Sequence, residues 1–438
     1  MSGLLKMGSF TIDGSSQKQK MSGFGVNINS KYWNDGEILP VMEMLVDDLK
    51  AKLFRLDVYG RSDWIDEDGT LGKEKALFKE NLEKVYNSKF SRYGWGMIRY
   101  LNERGIEPYI TSSGIIPKWM ADETGKLTDY ESFCAMLISF LDWALNKEKL
   151  RFCYYCPLNE TDLGPPEGPW VGPEEYVDVC RLLEKMLIEK GFNDIKLVVT
   201  EQAFMDTRYL KAFAAAPELA DRVGVFSFHQ YDEYTTAQYD EMLEQIEKTY
   251  KGKLLWMGEY GDLDQTGEIE WPVAWRAADR ALSFVKGGFD GGIQWDAFDN
   301  YHDHDDSWTI YGLIRFGNNW LATPKKRYYS AKQLFRFIQP GYVNVNVEGS
   351  SESIKILAFL SPDGKDISVV GMNHSSTAHS LNLHFTNLHK VPQKMNLFTT
   401  TEKDNCVKQP SIRFSSHDKE HALLTVPPES IFTLTTLT

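Results

Sequence analysis

Cysteine is scarce in this sequence and irregularly spaced. There are five cysteines among 438 residues, whereas small disulfide-stabilised domains carry an even, regularly spaced set, so we expect no disulfide framework. Cys153 and Cys156 have the spacing of a redox or zinc pair. Both fall inside an apolar run, and no second Cys or His pair completes a four-ligand site, so we interpret them as strand residues.

Long apolar runs are also missing. The best uncharged apolar run, Phe133 to Leu141, is well short of the ~20 residues that a transmembrane helix needs. The segment from Met1 to Lys6 lacks the apolar core of a signal peptide. We therefore expect no membrane partner, and a cytoplasmic protein if this N-terminus is native or a secreted one if a leader was removed.

Basic residues are outnumbered by acidic ones. The chain has 48 Lys and Arg against 62 Asp and Glu, a formal net charge of −14. Binding to nucleic acid or to an anionic membrane needs clustered positive charge, so both classes of partner are disfavoured. A neutral substrate fits best, and the 12 Trp and 21 Tyr suit sugar rings, although most aromatic residues fill protein cores.

Short apolar strands alternate with helical segments over the first three quarters of the chain. The eight predicted strands are Gly23–Asn29, Leu53–Asp57, Glu107–Thr111, Phe152–Cys156, Ile195–Thr200, Val223–Phe228, Leu254–Gly258 and Gly291–Asp296. The predicted helices include Leu39–Lys50, one that ends near Arg104, Phe133–Leu145, Glu174–Lys190 with a C-cap at Gly191, and Pro272–Lys286.

This alternation predicts an α/β fold, a (β/α)8 TIM barrel of about 275 residues. A doubly wound open sheet is the alternative, but no glycine-rich phosphate loop follows the first strand. The polar residues of interest sit at the carboxyl ends of strands, which in a barrel is the catalytic face.

The pattern changes after Pro340. Short alternating runs between turn residues predict an all-β sandwich of about eight strands, including Tyr342–Val347, Ile354–Leu360, Ile367–Gly371, Leu381–Phe385, Leu423–Val426 and Ile431–Leu437. Residues 8 to 20 have the pattern of a small hairpin with a turn at Asp13–Ser16, and we expect it to join the sandwich. The predicted domains are residues 1–21 with the sandwich, the barrel over 22–338, and the sandwich over 339–438.

Two glutamates carry the chemistry that the sequence suggests. Glu160 ends the run Pro157-Leu158-Asn159-Glu160 after the fourth predicted strand, and Glu259 ends the seventh. Cleavage of a glycosidic bond needs one carboxylic acid to protonate the leaving oxygen and a second carboxylate to attack the sugar or to activate water. A single glutamate at a strand end is usually a solvated loop residue, but two such residues with suitable donors on other strands indicate a site.

The neighbours of each glutamate indicate its role. Arg55, His229 and Tyr231 also lie at strand ends and could donate to Glu259, which favours its charged, nucleophilic form. Glu160 is then the acid/base. Its neighbour Asn159 could bond the 2-hydroxyl of the substrate, a contact that strengthens in the transition state.

Other strand-end and loop residues complete the predicted site. Trp295, at the end of the last strand, and Trp119, after the third, could form platforms under sugar rings. Trp170 is a weaker candidate of the same kind. Glu201 ends the strand after that of Glu160, and we interpret it as a supporting hydrogen-bonding residue.

The run from His302 to Asp306 is rich in metal-ligand side chains. Adjacent loop residues rarely converge on one ion, and two-carboxylate catalysis needs no metal, so we expect neither a metal nor a cofactor. A loop that contacts substrate or caps a helix is the preferred interpretation of this run.

The sequence resembles the clan of retaining glycoside hydrolases with (β/α)8 barrels, and within it glycoside hydrolase family 30. The matching stretches are Thr11-Ile12-Asp13 through Lys20-Met21-Ser22-Gly23-Phe24-Gly25, Ser113-Gly114-Ile115-Ile116-Pro117-Lys118-Trp119-Met120, Asn159-Glu160, and Phe335-Arg336-Phe337-Ile338-Gln339-Pro340-Gly341-Tyr342-Val343. Val26 stands where a second glycine is expected. The resemblance implies retention of anomeric configuration, a covalent glycosyl-enzyme on Glu259, and a sandwich built from both chain ends.

The prediction is therefore a retaining hydrolase of a β-linked neutral glycan or glycoside, with an oligosaccharide or polysaccharide as its partner. The substrates that the resemblance implies are β-1,6-linked glucan or galactan, xylan, and simple β-glucosides or β-xylosides. Two alternatives stay open: a non-catalytic carbohydrate-binding protein on the same scaffold, and an inverting hydrolase that uses the same two carboxylates.

Overall fold

A closed parallel barrel forms the body of the protein. The computed structural model describes residues 6–59, 64–66, 68–265, 270–302, 307–316, 321–349, 351–414 and 420–438. The first strand, β1 (Lys6–Lys20), lies outside the barrel, and the next eight strands close it: β2 (Gly23–Asn29), β3 (Leu53–Val58), β4 (Tyr109–Ser112), β5 (Tyr154–Cys156), β6 (Lys196–Gln202), β7 (Val223–Gln230), β8 (Leu254–Gly261) and β9 (Gly291–Trp295). All eight predicted barrel strands are present, so the (β/α)8 prediction is confirmed and the open sheet is excluded.

Helices surround the barrel. They are α1 (Leu39–Glu43), α2 (Lys73–Ala76), α3 (Lys79–Tyr86), α4 (Lys89–Glu103), α5 (Tyr130–Leu141), α6 (Pro173–Lys190), α7 (Thr207–Ala214), α8 (Thr236–Thr249), α9 (Glu270–Lys286) and α10 (Lys326–Phe335). α1 and α5 continue as π-helical turns over Met44–Asp48 and Asp142–Lys147, and 3₁₀ turns cover Ser30–Gly36, Lys118–Met120 and Pro217–Leu219. α6 shows the sequence signals that set its limits, because it starts with Pro173 and ends at Gly191 in the left-handed conformation.

The barrel strands are buried on both faces, as expected for parallel strands under helices. Leu197 and Val199 of β6 pack with the helices in the main apolar core. Val198, between them, faces the other way and joins a small cluster made by strand residues alone: Tyr109, Cys156, Val198, Val225, Trp256 and Ile293. We call this cluster the lower layer of the barrel interior. Residues two positions further along the same strands point into the same interior, closer to the carboxyl ends.

Two short hairpins follow the last barrel strand. β10 (Asn300–His302) pairs with β11 (Ser307–Thr309), and β12 (Ile314–Arg315) pairs with β13 (Thr323–Pro324). Both lie in the connection between β9 and α10.

The remaining strands build the second domain. They are β14 (Val343–Gly349), β15 (Ile354–Leu360), β16 (Ile367–Asn373), β17 (His379–Thr386), β18 (Lys394–Thr400), β19 (Val407–Lys408), β20 (Ile412–Arg413), β21 (His421–Val426) and β22 (Ser430–Thr435). With β1 they form a mixed sheet ordered β19-β18-β22-β16-β15-β14-β1-β17-β21, in which β20 pairs with β18. Its strands enclose one apolar cluster to which both chain ends contribute.

The N-terminal segment joins this sheet as predicted, but not as a hairpin, and that part of the prediction is wrong. β1 is one strand that pairs antiparallel with β14 and parallel with β17. Its register with β14 shifts between Asp13 and Gln17, so the polar stretch that suggested a turn is an irregularity within a continuous strand. The boundaries after residues 21 and 338 stay predictions.

Two further observations concern the chemistry of the chain. The five cysteines are free thiols. Among the residues that the structure describes, no helix has the length and apolar character needed to cross a membrane.

Candidate active site

The predicted polar residues converge at the carboxyl end of the barrel. Arg55 lies two residues beyond Leu53 on β3, and His229 lies four beyond Val225 on β7, so both point into the interior above the lower layer. Arg55, Glu160, His229 and Glu259 are 0%, 7%, 0% and 5% exposed. Buried charged groups must be paired, and these are paired with one another.

Arg55 connects the other members. One guanidinium nitrogen, Nη1, is 2.7 Å from Glu259 Oε1 and 2.8 Å from Asn27 Oδ1. The other, Nη2, is 2.7 Å from Asn159 Oδ1 and 3.1 Å from Glu201 Oε2. A planar fork of donors fits this set of acceptors in a way that a lysine could not.

His229 stands between three carboxylates. Its Nδ1 is 2.6 Å from Glu160 Oε1 and 3.5 Å from Glu259 Oε2, and its Nε2 is 2.9 Å from Glu201 Oε2. Burial alone would lower the pKa of His229, but the carboxylates of Glu259 and Glu160 raise it well above its usual range. The ring is therefore charged, and both nitrogens donate.

Glu259 receives donors from three sides. Besides Arg55 and His229, the Tyr231 hydroxyl donates to Glu259 Oε2 at 2.5 Å. Burial raises the pKa of Glu259 to about 7, the charge of Glu160 adds to the rise, and His229 and Arg55 oppose it. Burial and the neighbouring carboxylate therefore outweigh the two cations in setting the pKa of Glu259.

The two catalytic candidates face each other. Glu160, His229 and Glu259 each offer a ligand atom, and these atoms lie within 4.8 Å of one another. A histidine that binds a metal must be neutral, whereas this ring carries a proton on each nitrogen. In this protonation state the three side chains hold one another through hydrogen bonds.

Glu201 is more central than its predicted supporting role. Its side chain is fully buried and touches both cations of the site, Arg55 and His229. Burial would raise the pKa of Glu201, but Arg55 and His229 outweigh burial and lower it to about 2. Glu201 is thus the permanently charged carboxylate that holds the two donors of Glu259 in place.

Irregularities in the strands turn these glutamates inward. Pairing of β6 with β7 skips Glu201, and pairing of β7 with β8 skips Gly258, so each strand carries a bulge-like step that re-aims the next side chain. Glu160 and Glu201 have positive φ of 43° and 40°, a strained conformation that is typical of functional sites. A Cβ at Gly258 would lie 2.1 Å from Glu201 Oε1, so only glycine fits before Glu259.

The tryptophans are placed differently. Trp295 ends β9 and is half-buried at the barrel mouth. Trp119 lies in the loop after β4, where its indole nitrogen donates to Asp66 Oδ2 at 2.8 Å. Trp170 is 41% exposed and bonds through its backbone to Gly125 and Leu127. The structure therefore brings Glu160, Glu259, Arg55, Asn159, His229 and Tyr231 into contact, and fixes Trp119 through Asp66.

A cleft lies between the loops after β4 and β5. It encloses about 520 Å³ and is lined by the loops after β4 and β5, from Ile115 to Gly125 and from Pro165 to Pro169. Gly168 on its wall packs so closely that a Cβ there would lie 2.0 Å from the Asn159 carbonyl oxygen. One wall of the cleft therefore packs against the backbone of Asn159, the residue before Glu160.

Some features were not predicted. Asp57 accepts a hydrogen bond from Asn27 at 3.3 Å and lies 3.4 Å from Arg55, which adds a further carboxylate beside the guanidinium. Burial raises the pKa of Asp296, after Trp295, to about 8. The signal available in the sequence was that Asn27 and Asp57 are polar residues at the ends of neighbouring strands. Of the predicted loop His302–Asp306, residues 303–306 lie outside the described residues.

Several solved structures share this architecture. No sequence profile of a protein family and no curated protein matches the chain. A GH30 endoxylanase from Clostridium papyrosolvens is 17% identical, with a TM-score of 0.73 over 98% of this chain and 99% of that one. A glycoside hydrolase family 30 subfamily 8 xylanase from Clostridium acetobutylicum is 16% identical, with a TM-score of 0.74 over 98% and 99%.

The chain has the fold of glycoside hydrolase family 30. An endo-β1,6-glucanase is similar to the same degree, at 17% identity and a TM-score of 0.73 over 97% of this chain and 93% of that one. The shared fold covers the barrel and the β-sandwich together. At these identities the similarity concerns the fold, and the chemistry is argued from the residues of this chain.

Proposed function

We propose that this protein is a retaining β-glycoside hydrolase, with Glu259 as nucleophile and Glu160 as acid/base. One observation carries the proposal: the closest oxygens of these two carboxylates lie within 4.8 Å of each other at the mouth of the barrel. Retaining pairs are separated by about 5–5.5 Å and inverting pairs by about 6.5–9.5 Å, since an inverting enzyme must leave room for a water molecule. The short separation supports direct attack on the sugar.

The distribution of donors supports the assignment of roles. Glu259 has Arg55, Tyr231 and His229 around it, whereas the described contacts of the Glu160 side chain are with His229. Donors stabilise negative charge, so of the two carboxylates Glu259 is the better suited to act as the nucleophile, and Glu160 is left to act as the acid/base. This is the division between acid and nucleophile that glycosidic cleavage needs.

In the first step, Glu160 transfers its proton to the glycosidic oxygen while Glu259 attacks the anomeric carbon. The bond to the leaving sugar breaks, and an ester between that carbon and Glu259 forms. In the second step, the Glu160 carboxylate takes a proton from water, whose oxygen attacks the anomeric carbon. The ester breaks, the Glu259 carboxylate is released, and Glu160 carries its proton again.

The fixed donors supply the electrostatic part of catalysis. Arg55 and His229 are held by Glu201, so they need little reorganisation when charge leaves Glu259 and returns to it. Asn159, oriented by Arg55, is the residue that we assign to the 2-hydroxyl of the sugar. The substrates we propose are β-linked neutral glycans, and the xylanases and the β1,6-glucanase of the same fold favour xylan and β-1,6-glucan.

The test is the stereochemistry of the first product. Aryl β-glucoside and β-xyloside, xylan and β-1,6-glucan are incubated with the protein, and proton NMR follows the anomeric signal during the first turnovers. We expect the β-anomer to appear first and to mutarotate later, and the Glu259→Gln protein to release no sugar. An initial α-anomer would assign an inverting mechanism, and binding without any cleavage would assign a carbohydrate-binding protein.

A further inference from the structure

The hairpin that follows the last barrel strand exposes two aromatic rings side by side. Tyr301 on β10 and Trp308 on β11 are directly opposite each other in the antiparallel register. They are 38% and 51% exposed. Residues opposite each other point to the same face, with Cβ atoms about 5 Å apart. Single exposed apolar residues are ordinary, but two adjacent aromatic rings on a narrow ribbon form a patch that indicates a ligand.

The hairpin is fixed from both sides. The Tyr32 hydroxyl donates to the Tyr301 carbonyl oxygen, which ties the hairpin to the loop after β2. Gln265, in the segment after β8, accepts from the Ile310 amide at 3.1 Å and donates to the Tyr311 hydroxyl at 2.9 Å. A surface held in this way loses little freedom when a ligand binds, which favours affinity.

The same bonds locate the hairpin at the mouth of the barrel. Asn300, its first residue, donates to Asp296 Oδ2 at 2.9 Å, next to Trp295 at the end of β9. The segment of Gln265 follows the strand that carries Glu259. The aromatic pair therefore borders the mouth on the side of β8, β9 and β2, while the 520 Å³ cleft lies on the side of β4 and β5.

We propose that Tyr301 and Trp308 form a distal subsite that binds sugar residues of the glycan beyond the one held by Glu160 and Glu259. This inference rests on the proposed glycosidase function. The C–H-rich face of a neutral sugar packs on the electron-rich face of an aromatic ring. The ligand is neutral, because a chain of net charge −14 disfavours acidic glycans. The subsite makes the protein select long chains over short glycosides.

The aromatic pair and the cleft lie on opposite sides of the mouth, which suggests how a long glycan would lie across it. A glycan that lies across the mouth would contact the aromatic pair at one end and the cleft between the loops after β4 and β5 at the other, with the scissile bond between them. A substrate of one or two sugar residues would reach only the carboxylates and their immediate neighbours. The aromatic pair should thus affect KM for long chains and leave the chemical step unchanged.

The experiment compares chain lengths in matched variants. Tyr301→Ala, Trp308→Ala and the double variant are assayed on xylo-oligosaccharides and β-1,6-gluco-oligosaccharides from disaccharide to hexasaccharide, and on aryl β-glucoside and β-xyloside. Leu423→Ala is the control, because Leu423 is 65% exposed on β21 of the other domain. Trp308→Phe, which keeps a ring, tests rescue.

We expect the double variant to raise KM about tenfold or more for the hexasaccharide that the protein cleaves, with kcat unchanged. Aryl glycoside kinetics should not move, Leu423→Ala should match the wild type, and Trp308→Phe should recover most of the affinity. Equal KM values for double variant and wild type on the long chain, or an equal loss on the aryl glycoside, would overturn the subsite.

Failure of the proposed function would look different, since the wild type would then cleave none of these substrates. In that case the hexasaccharides are titrated into the wild type and the double variant by calorimetry. Weaker binding by the double variant supports the aromatic subsite, and equal binding or no binding overturns it.

Discussion

The interior of the barrel changes character over a few residues along its strands. The lower layer is apolar, and its members, such as Val225 and Ile293, are fully buried. The mouth above it is equally buried, yet it holds Arg55, His229 and three glutamates in one network. Burial is therefore not what distinguishes a structural layer from a functional one. The difference is whether the buried side chains are ionisable and can exchange protons or form bonds.

The energetic consequences of the two regions also differ. Apolar burial in the lower layer stabilises the fold directly, by roughly 25 cal/mol per Å². The charges at the mouth lose hydration, and their mutual attraction does little more than offset that loss. A change in the lower layer should therefore alter stability and leave catalysis intact, whereas a change at the mouth should alter catalysis, pH dependence, or both.

The largest effect is expected for Glu160→Gln. On substrates with poor leaving groups the loss of the acid should lower kcat/KM about 10²–10⁴-fold, while an aryl glycoside with an acidic phenol should be cleaved nearly as fast in its first step. Removing the Glu160 charge also lowers the pKa of Glu259 from about 7. With the activated substrate, the fall in kcat/KM below about pH 7 should therefore shift to lower pH. The measurement is kcat/KM against pH for both substrates, and equal losses on the two would contradict the acid role.

Arg55→Ala tests how much unfolding free energy is lost when buried carboxylates at the mouth lose their cation. The substitution strips Glu259 and Glu201 of a partner at 2.7 Å and 3.1 Å, and breaking one member of a buried ion network destabilises by about 3–5 kcal/mol. Arg181→Ala is the matched control, because Arg181 pairs with Glu218 at the surface and should cost about 1 kcal/mol or less. Denaturant unfolding of both variants gives the comparison, and similar values for the two would mean that the buried network contributes no more than a surface pair.

Glu201 and Glu259 should affect stability against pH in opposite directions. The pKa of Glu201 is about 2 in the folded protein, below its unfolded value of about 4.3, so its contribution is present above about pH 4.3 and is lost as the pH falls toward 2; by linkage it amounts to about 3 kcal/mol. The pKa of Glu259 is raised to about 7, so its contribution is present below about pH 4.3 and is lost as the pH rises toward 7.

Chemical unfolding of Glu201→Gln and Glu259→Gln over this pH range measures both terms. Compared with Glu201→Gln, the wild type should lose stability as the pH falls. Compared with Glu259→Gln, it should lose stability as the pH rises toward neutral. Two curves with slopes of the same sign would refute the charge assignment at the mouth.

The smallest effect belongs to the lower layer. Ile293→Val removes one methylene from a residue that is 0% exposed, and it should cost about 0.5–1.5 kcal/mol of unfolding free energy. Turnover per folded molecule should not change, since Ile293 belongs to the apolar lower layer and carries no part of the chemistry. A large fall in kcat with normal stability would show that the two layers are not independent.

Much of this arrangement could be predicted from the sequence because it follows from chain periodicity. Buried parallel strands are short apolar runs, and the residues just after them, such as Glu160 and Glu259, must meet at one end of a barrel. Arg55 and His229 keep the alternation of their strands, so their direction could be predicted as well.

What could not be predicted depends on broken periodicity. Glu201 should face away from the interior if β6 alternated regularly, and the bulge-like step that turns it inward leaves no signal in residue type. The polar stretch after Asp13 similarly indicates a turn, whereas β1 stays extended because its pairing with β14 continues at Gln17 and Lys20. The hydrogen bond from Trp119 to Asp66 could not be predicted, because the two residues lie on different loops.

The central claim is that Glu259 becomes covalently bound to the sugar. The most direct measurement is peptide mass spectrometry of the protein after incubation with the activated 2-deoxy-2-fluoro analogue of whichever β-glycoside it cleaves. The account predicts one glycosyl group per molecule, attached to Glu259 and absent from the Glu259→Gln protein. A glycosyl group on Glu160 or Glu201, or rapid turnover of the parent glycoside with no labelled glutamate, would contradict it.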